Sequence, residues 1–189
     1  MAEYPSGRTG CVVVTIGHST RTLETFIHLL QIYGVKQVVD VRTVPRSRHN
    51  PQFNHETLPD DLKAAGMEYL HLPGLGGLRH PRPDSENVGW RNASFRGFSD
   101  YMETPEFENH LGELIKLSQR RRIALMCAEA LPWRCHRSLI ADALEEKGMK
   151  VDKRLIDLPE PIKALGIYTV DVKLHSNVEG KVKVWVVRE

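Results

Sequence analysis

Residues Ile123–Ile140 read IALMCAEALPWRCHRSLI. The opening four, Ile123 to Met126, form an apolar run too short for a helix, which predicts a buried strand. The closing residues start a helix, because His136, Leu139, Ile140, Ala143 and Leu144 recur at helical spacing. Between them lies a loop carrying Cys127, Glu129, Trp133, Arg134, Cys135, His136 and Arg137. In an open α/β sheet such a strand-to-helix loop lies where ligands bind, beside the carboxyl ends of the strands. The stretch therefore sets the fold class and marks where a site would lie.

The rest of the chain repeats this unit. Cys11–Gly17, CVVVTIG, is apolar and β-branched almost throughout, as expected of a parallel strand buried on both faces. A helix follows, with Leu23, Phe26, Ile27, Leu30 and Tyr33 on one side and Gly34 as its terminator. Val35–Val41 is the second strand, Asn54–Gly66 a short helix and Met67–Leu72 the third strand. Pro73–Ser99, rich in Gly, Pro and Arg, reads as a long irregular segment. Thr104-Pro105-Glu106 opens a helix by cap, proline and acid. After the 123–140 unit, Val151–Leu158 is a fifth strand, and Tyr168–Lys173 with Lys181–Val187 form a hairpin around Ser176–Gly180. Strand–helix alternation predicts an α/β fold: a mostly parallel open sheet of about five strands, helices on both faces, and a C-terminal β-hairpin. Residues 1–165 are expected as one α/β domain and 166–189 as a hairpin extension. The loops after the strands, with His18, Asp40–Arg48, Gly74–Arg96 and Cys127–Arg137, should then share one edge.

Composition narrows the function classes. With 189 residues, of which 41% are hydrophobic, the chain can build a real core. No run approaches the length of a membrane span, and Met1–Gly10 has no secretory apolar stretch, so no membrane partner and a cytoplasmic location are expected. Three cysteines, an odd number, argue against a disulfide framework. The net charge is only +2, but nine of the sixteen arginines (42, 46, 48, 79, 82, 91, 96, 134 and 137) follow predicted strands, and none of the ten lysines does. A guanidinium fork suits phosphate and carboxylate. A rim of them should attract an anion, unless local acids such as Asp40, Asp84 and Glu129 absorb the charge.

Cys135-His136-Arg137 places a thiol at a helix start beside His and Arg, where its pKa should fall. Such a group is a nucleophile, a redox thiol, or simply a small buried residue. Cys127 to Arg134 is C-x6-R, one residue longer than the C-x5-R of tyrosine-phosphatase loops. Cys127, Cys135 and His136, with His18, offer soft metal ligands, but C-x7-C-H is not a standard spacing and no metal is assigned. Asp40 and Glu129 are either an acid–base pair or partners that hold arginines. Gly74-Leu75-Gly76-Gly77 lacks the lysine of a phosphate loop and the spacing of a dinucleotide fingerprint. Trp90, Phe95 and Phe98 interleave with Arg91 and Arg96, a pattern that can stack on a base or pack on the domain.

Four pieces together, TIGHST at Thr15–Thr20, DVRTVPRSR at Asp40–Arg48, GWRNASFRGFSDYMETPEF at Gly89–Phe107 and ALMCAEALPWRCHRSLIADAL at Ala124–Leu144, resemble the domain of unknown function numbered 488. The resemblance runs from Val12 to about Leu158. It implies an α/β fold and a soluble bacterial or archaeal protein, and carries no reaction with it. The positions it singles out are His18, Ser19, Asp40, Arg42, Pro45, Ser47, Arg48, Cys127, Glu129, Cys135, His136 and Arg137. The chain departs from that pattern after its last strand, where Asp157-Leu158-Pro159-Glu160 lacks histidine and the terminal hairpin reads as an addition.

The leading expectation is an enzyme that binds an anionic, phosphate-containing ligand, a nucleotide or nucleic acid, at the carboxyl edge of the sheet. His18, Ser19, Asp40, Arg42, Ser47, Arg48, Cys127 and Arg137 would contact the ligand. Glu129 or His136 would move protons, with Cys135 as the reserve nucleophile. The alternatives are a non-catalytic nucleic-acid-binding module and a thiol-redox or metal protein built on Cys127, Cys135 and His136. No cofactor is specified, and the hairpin's strand edge could pair a homodimer.

Overall fold

A computed structural model of the chain describes residues 12–131, 134–152, 166–175 and 178–186. The apolar runs become the strands β1 (Val12–Gly17), β2 (Gln37–Asp40), β3 (Glu68–His71), β4 (Ile123–Cys127) and β5 (Lys150–Asp152). All their pairings are parallel, in the order β3-β2-β4-β1-β5. Position in the sheet explains composition. The inner strands β2 and β4 are buried at every residue; β4 is apolar throughout, and β2 holds Val38 and Val39 between the buried polar ends Gln37 and Asp40. Edge strand β3 tolerates Glu68 and His71 because it is half exposed. Of the expected fifth strand, Val151 and Asp152 lie in β5; the remainder of that stretch, like Met1–Cys11 and Trp133, lies outside the described residues.

Each crossover carries helix: α1 (Leu23–Ile32), α2 (Leu58–Ala64), then α3 (Ala93–Met102) and α4 (Pro105–Arg120) in one connection, and α5 (Arg137–Glu146). Thr22 and Thr104 cap α1 and α4 through their hydroxyls, satisfying amide groups that a helix start leaves unpaired. Helix α3 corrects the sequence reading, which left Pro73–Ser99 irregular. Its residues, ASFRGFSDYM, include poor helix formers, and the signal that marks it is Asn92, whose side chain accepts from the Ser94 and Phe95 amides. Gly97 is required inside it, since a Cβ there would lie 2.6 Å from the Arg79 carbonyl oxygen.

Side-chain alternation along the strands feeds two cores. Val13, Val39, Ile123 and Leu125 face Phe98, Phe107, Leu111, Leu114 and Ile140 from α3, α4 and α5. Val14, Ile16, Val38, Ala124 and Met126 face Phe26, Leu30, Leu58 and Leu62 from α1 and α2. Each fully buried side chain of this size contributes about 1.5–3 kcal/mol of hydrophobic stabilisation. The result is an α/β fold with an all-parallel sheet and helices on both faces.

The chain divides into two compact units, Met1–Asp157 and Leu158–Glu189. The described part of the second is an antiparallel hairpin of β6 (Gly166–His175) and β7 (Val178–Val186), with an irregularity between Lys173 and His175.

Candidate functional site

The strand order creates a switch point. From β1 the chain runs through α1 to β2 on one side, and from β4 through α5 to β5 on the other. The carboxyl ends of β1 and β4 therefore border the crevice where open α/β sheets bind ligands. The two ends are tied together, with the His18 amide donating to the Cys127 carbonyl at 2.9 Å and the Ser19 amide to the Ala128 carbonyl at 3.0 Å. Gly17 permits this approach, because a Cβ there would fall 1.9 Å from the Glu129 carbonyl oxygen. Ser19 adopts φ 47°, a left-handed conformation that turns the chain away from the edge.

Beside this tie lies a buried polar chain. The Arg42 guanidinium donates to Asp40 through Nε, at 2.9 Å to Oδ1, and through Nη2, at 2.6 Å to Oδ2. Nη2 also reaches the Phe53 carbonyl at 2.7 Å. Tyr69 donates its hydroxyl to Asp40 Oδ2 at 2.7 Å, and burial beside that carboxylate drives the phenol pKa far up. Arg42 Nη1 lies 3.2 Å from Nε2 of His18, whose Nδ1 is 2.9 Å from the Ser19 carbonyl. A histidine in this position donates through Nδ1 and accepts through Nε2, and so is neutral. Burial, reinforced by Arg42, lowers its pKa to about 4. His18 stacks on Phe53 at 4.4 Å between ring centroids.

The thiols form the second cluster. Cys127 Sγ and Cys135 Sγ are 2.7 Å apart, and both residues are buried. Arg137, itself fully buried, donates through Nε to Cys127 Sγ at 3.0 Å and to Cys135 Sγ at 3.4 Å, and through Nη2 to the Glu129 carbonyl at 2.6 Å. His136 Nδ1 is 3.6 Å from Cys135 Sγ. The two sulfurs divide their roles. The hydrogen bond from Cys127 holds the Cys135 thiol well below the ordinary thiol range, helped by His136 and Arg137. Burial, followed by the neighbouring Cys135, pushes Cys127 up. The two sulfurs therefore titrate as a pair beside one shared guanidinium, with Cys135 the more acidic.

Both clusters border one cavity of about 450 Å³. Its wall takes His18 from the end of β1, Arg42 to Ser47 from the loop after β2, Gly77 and Leu78, and Asn92, Ser94 and Phe95 at the start of α3. Cys127 to Glu129 and Arg134 to His136 complete it. Thr43, Gly77, Asn92 and Ser94 are lining residues that sequence reasoning missed; they carry no chemistry that stands out from sequence, and only the fold brings them to this wall.

The candidate residues separate by what they touch. Arg42 and Arg137 are occupied within the protein. Ser47 accepts the Asn50 amide at 3.0 Å through its hydroxyl and borders the cavity. Arg48 borders a neighbouring depression with Arg46, Pro51 and Asn54. Ser19 lies on a third, with Glu129 and Ala130. Glu129 is exposed, and its carboxylate accepts the Leu131 amide at 3.3 Å. Arg46 pairs with Glu56 yet remains 71% exposed, while the exposed Arg134 carries no ion-pair partner among the described residues. The Gly74–Gly77 segment serves close packing: a Cβ on Gly77 would meet His136 Nδ1 at 2.3 Å. Among the described residues, no three His, Cys, Asp or Glu side chains converge to hold a metal ion, and no helix is long and apolar enough to cross a membrane.

Comparison with known proteins divides the sequence at α5. Residues 136–188 match the family of the ribosomal protein L9, C-terminal domain. The chain is 52% identical across 50 residues to the large ribosomal subunit protein bL9 of Gemmatimonas aurantiaca, covering 26% of the chain and 34% of that protein. It is 59% identical across 51 residues to that of Carboxydothermus hydrogenoformans, again 26% of the chain and 34% of the relative. A longer similarity, 35% identity across 112 residues, covers 59% of the chain and 71% of the bL9 protein of Myxococcus xanthus. The chain thus spans about a third of the length of most of these curated relatives. No solved structure matches. β2, β3, β4 and most of the cavity wall fall in a second match, which β1 with His18 precedes and β5 follows: residues 22–144, more than half of the sequence, match the family described as Domain of unknown function DUF488, and the chain belongs to that family.

Proposed function

We propose that the sheet unit is an enzyme that binds an anionic, phosphate-bearing ligand of about nucleotide size in the switch-point cavity, with the Cys135 thiolate as its nucleophile. The observation that carries this reading is the position of Cys135 Sγ on the cavity wall with Arg137 Nε and His136 Nδ1 directed at it. A thiolate supported by a guanidinium, an imidazole and a neighbouring thiol is an activated nucleophile. His136 with Nδ1–H directed at sulfur leaves Nε2 as an acceptor, and that atom has no hydrogen-bond partner among the described residues. In this reading it exchanges a proton with a leaving or attacking group.

The anion falls to Arg134, Arg46 and Arg48 rather than to Arg42 and Arg137, whose forks are filled within the protein. Thr43, Asn92 and Ser94 add polar contacts on the same wall, and a volume of about 450 Å³ lies within the range of small-molecule sites. The test compares alkylation of Cys135 by anionic iodoacetate and by neutral iodoacetamide, in the wild type and in Arg134→Ala. A site of this kind gives a raised iodoacetate-to-iodoacetamide ratio that inorganic phosphate or a nucleoside monophosphate suppresses and Arg134→Ala lowers. Equal ratios in the two proteins, indifferent to phosphate, would overturn the reading.

A second reading concerns the C-terminal region. Its identity of 52–59% over about 50 residues to large ribosomal subunit proteins supports nucleic-acid or ribosome association through residues 136–188. Binding of the full chain to ribosomal RNA that weakens steeply with salt checks it; no binding at low salt would remove it.

A further inference from the structure

We propose that Cys127 is the resolving partner of Cys135, so that peroxide converts the pair into a reversible intramolecular disulfide that silences the site. The chemistry needs only the two sulfurs; the regulatory consequence rests on the reading of Cys135 as the site's nucleophile.

The geometry supplies each requirement. The sulfurs lie 2.7 Å apart, so a bond of about 2.05 Å needs them to close by well under an ångström. They sit on opposite sides of the strand-to-helix connection, Cys127 closing β4 and Cys135 preceding α5, and both border the cavity through which a small oxidant enters. Arg137 Nε contacts both sulfurs, which positions one donor to follow charge from one to the other. The asymmetry assigns the roles. Cys135 has His136 beside it, while Cys127 has the Glu129 amide at 3.3 Å and no imidazole. A buried structural thiol needs neither a second thiol in contact nor a guanidinium directed at its sulfur.

The Cys135 thiolate attacks one oxygen of hydrogen peroxide; the S–O bond forms, the O–O bond breaks, and hydroxide leaves to take a proton as water. Sulfur is oxidised to sulfenic acid and peroxide is reduced. The Cys127 sulfur then attacks the sulfenic sulfur; the S–S bond forms, the S–O bond breaks, and hydroxide leaves with the Cys127 proton as water. The sum is two thiols and one peroxide giving one disulfide and two waters. A small dithiol returns the pair to thiols and is itself oxidised to its disulfide. Once bonded, Cys135 is no nucleophile, and Arg137 Nε and His136 Nδ1 lose the thiolate they face.

The test uses the full chain, with Cys11→Ser as background to exclude the third cysteine. Stoichiometric peroxide followed by alkylation of remaining thiols should give an intact mass about 2 Da below that of the reduced, unalkylated protein, with no alkyl group added. Cleavage after Arg134 should give a linked pair of peptides containing Cys127 and Cys135, released by dithiothreitol. In Cys127→Ser, dimedone capture of Cys135 sulfenic acid should rise about tenfold over the background protein, and further peroxide should carry it to sulfinic acid. No linked peptide, together with equal dimedone capture in both proteins, would overturn the proposal. The outcome is separable from the function above: a disulfide that forms while the iodoacetate ratio ignores phosphate removes the anion-site reading and leaves the redox pair. Phosphate-sensitive alkylation without a disulfide does the reverse.

Discussion

Arg137 donates through Nε to the sulfur of Cys127 at 3.0 Å, and the guanidinium that does so is wholly shut off from solvent. Its stem rises from the first turn of α5, so this contact joins a helix start to a strand end. Arg137→Leu removes a donor to two sulfurs and to the Glu129 carbonyl. The loss should be about 2–4 kcal/mol in urea unfolding, from acceptors left buried and unpaired. It should also raise the pH midpoint of Cys135 alkylation, because the thiolate loses its nearest guanidinium. Lysine restores charge but not the fork and should recover the midpoint only in part. A variant within about 0.5 kcal/mol of wild type would show the contact to be incidental.

His18 links stability to pH. Its pKa is lowered to about 4 in the folded protein, against about 6.5 in an unfolded chain. Between these values the unfolded state binds the extra proton, so stability falls as pH drops from 6.5 toward 4 and is fully present above 6.5. The drop reaches roughly 3 kcal/mol for a shift of this size. His18→Gln should flatten the unfolding free energy across that window. A window equally steep in the variant would assign the effect to another group.

Asp40 and Arg42 should behave as one unit. Asp40→Asn leaves a buried guanidinium without its counter-charge, and Arg42→Met leaves a buried carboxylate supported by the Tyr69 hydroxyl. Each single change should cost about 3–5 kcal/mol, and the double change clearly less than their sum, since removing both partners leaves no orphaned charge. Additive losses in denaturant unfolding would mean that the pair is not coupled.

How far these features were legible in sequence depended on whether the signal was local. The parallel sheet followed from runs such as Val12–Ile16 and Ile123–Met126, because a strand buried on both faces must be apolar throughout. Helix α3 was hidden because Gly97 answers to the Arg79 backbone, a contact distant in sequence. The arginines were visible as a group, but not the split between Arg42 and Arg137, folded inward onto Asp40 and the thiols, and Arg46 and Arg134, left toward the cavity. Partner choice among like residues depends on tertiary geometry. The C-x7-C spacing resembled no standard motif, and only the pairing of β4 with its following helix start shows that eight positions bring the sulfurs together. The hairpin was correctly read as a pattern change. The similarity to ribosomal protein L9 begins earlier, at residue 136, so α5 lies within the reach of both family matches. An amphipathic helix serves either core, which is why periodicity could not mark that junction.

Gly77 tests whether the loop after β3 sets the electrostatics of Cys135. A methyl group there would lie 2.3 Å from His136 Nδ1, and Phe98 packs against the imidazole at 5.1 Å between centroids. The ring cannot retreat freely, so Gly77→Ala must either push the loop outward or rotate His136 away from the sulfur. Overpacking of this kind costs about 1–3 kcal/mol. If the ring rotates, the Nδ1 contact to Cys135 at 3.6 Å is lost and the alkylation midpoint of that thiol moves to higher pH. Gly112→Ala is the control, because a Cβ at that position in α4 meets nothing within 4 Å and should stabilise the helix by about 0.5–1 kcal/mol. The pairing of results matters: a destabilised Gly77→Ala with an unshifted thiol midpoint would show that the loop moves and that His136 holds Cys135 on its own.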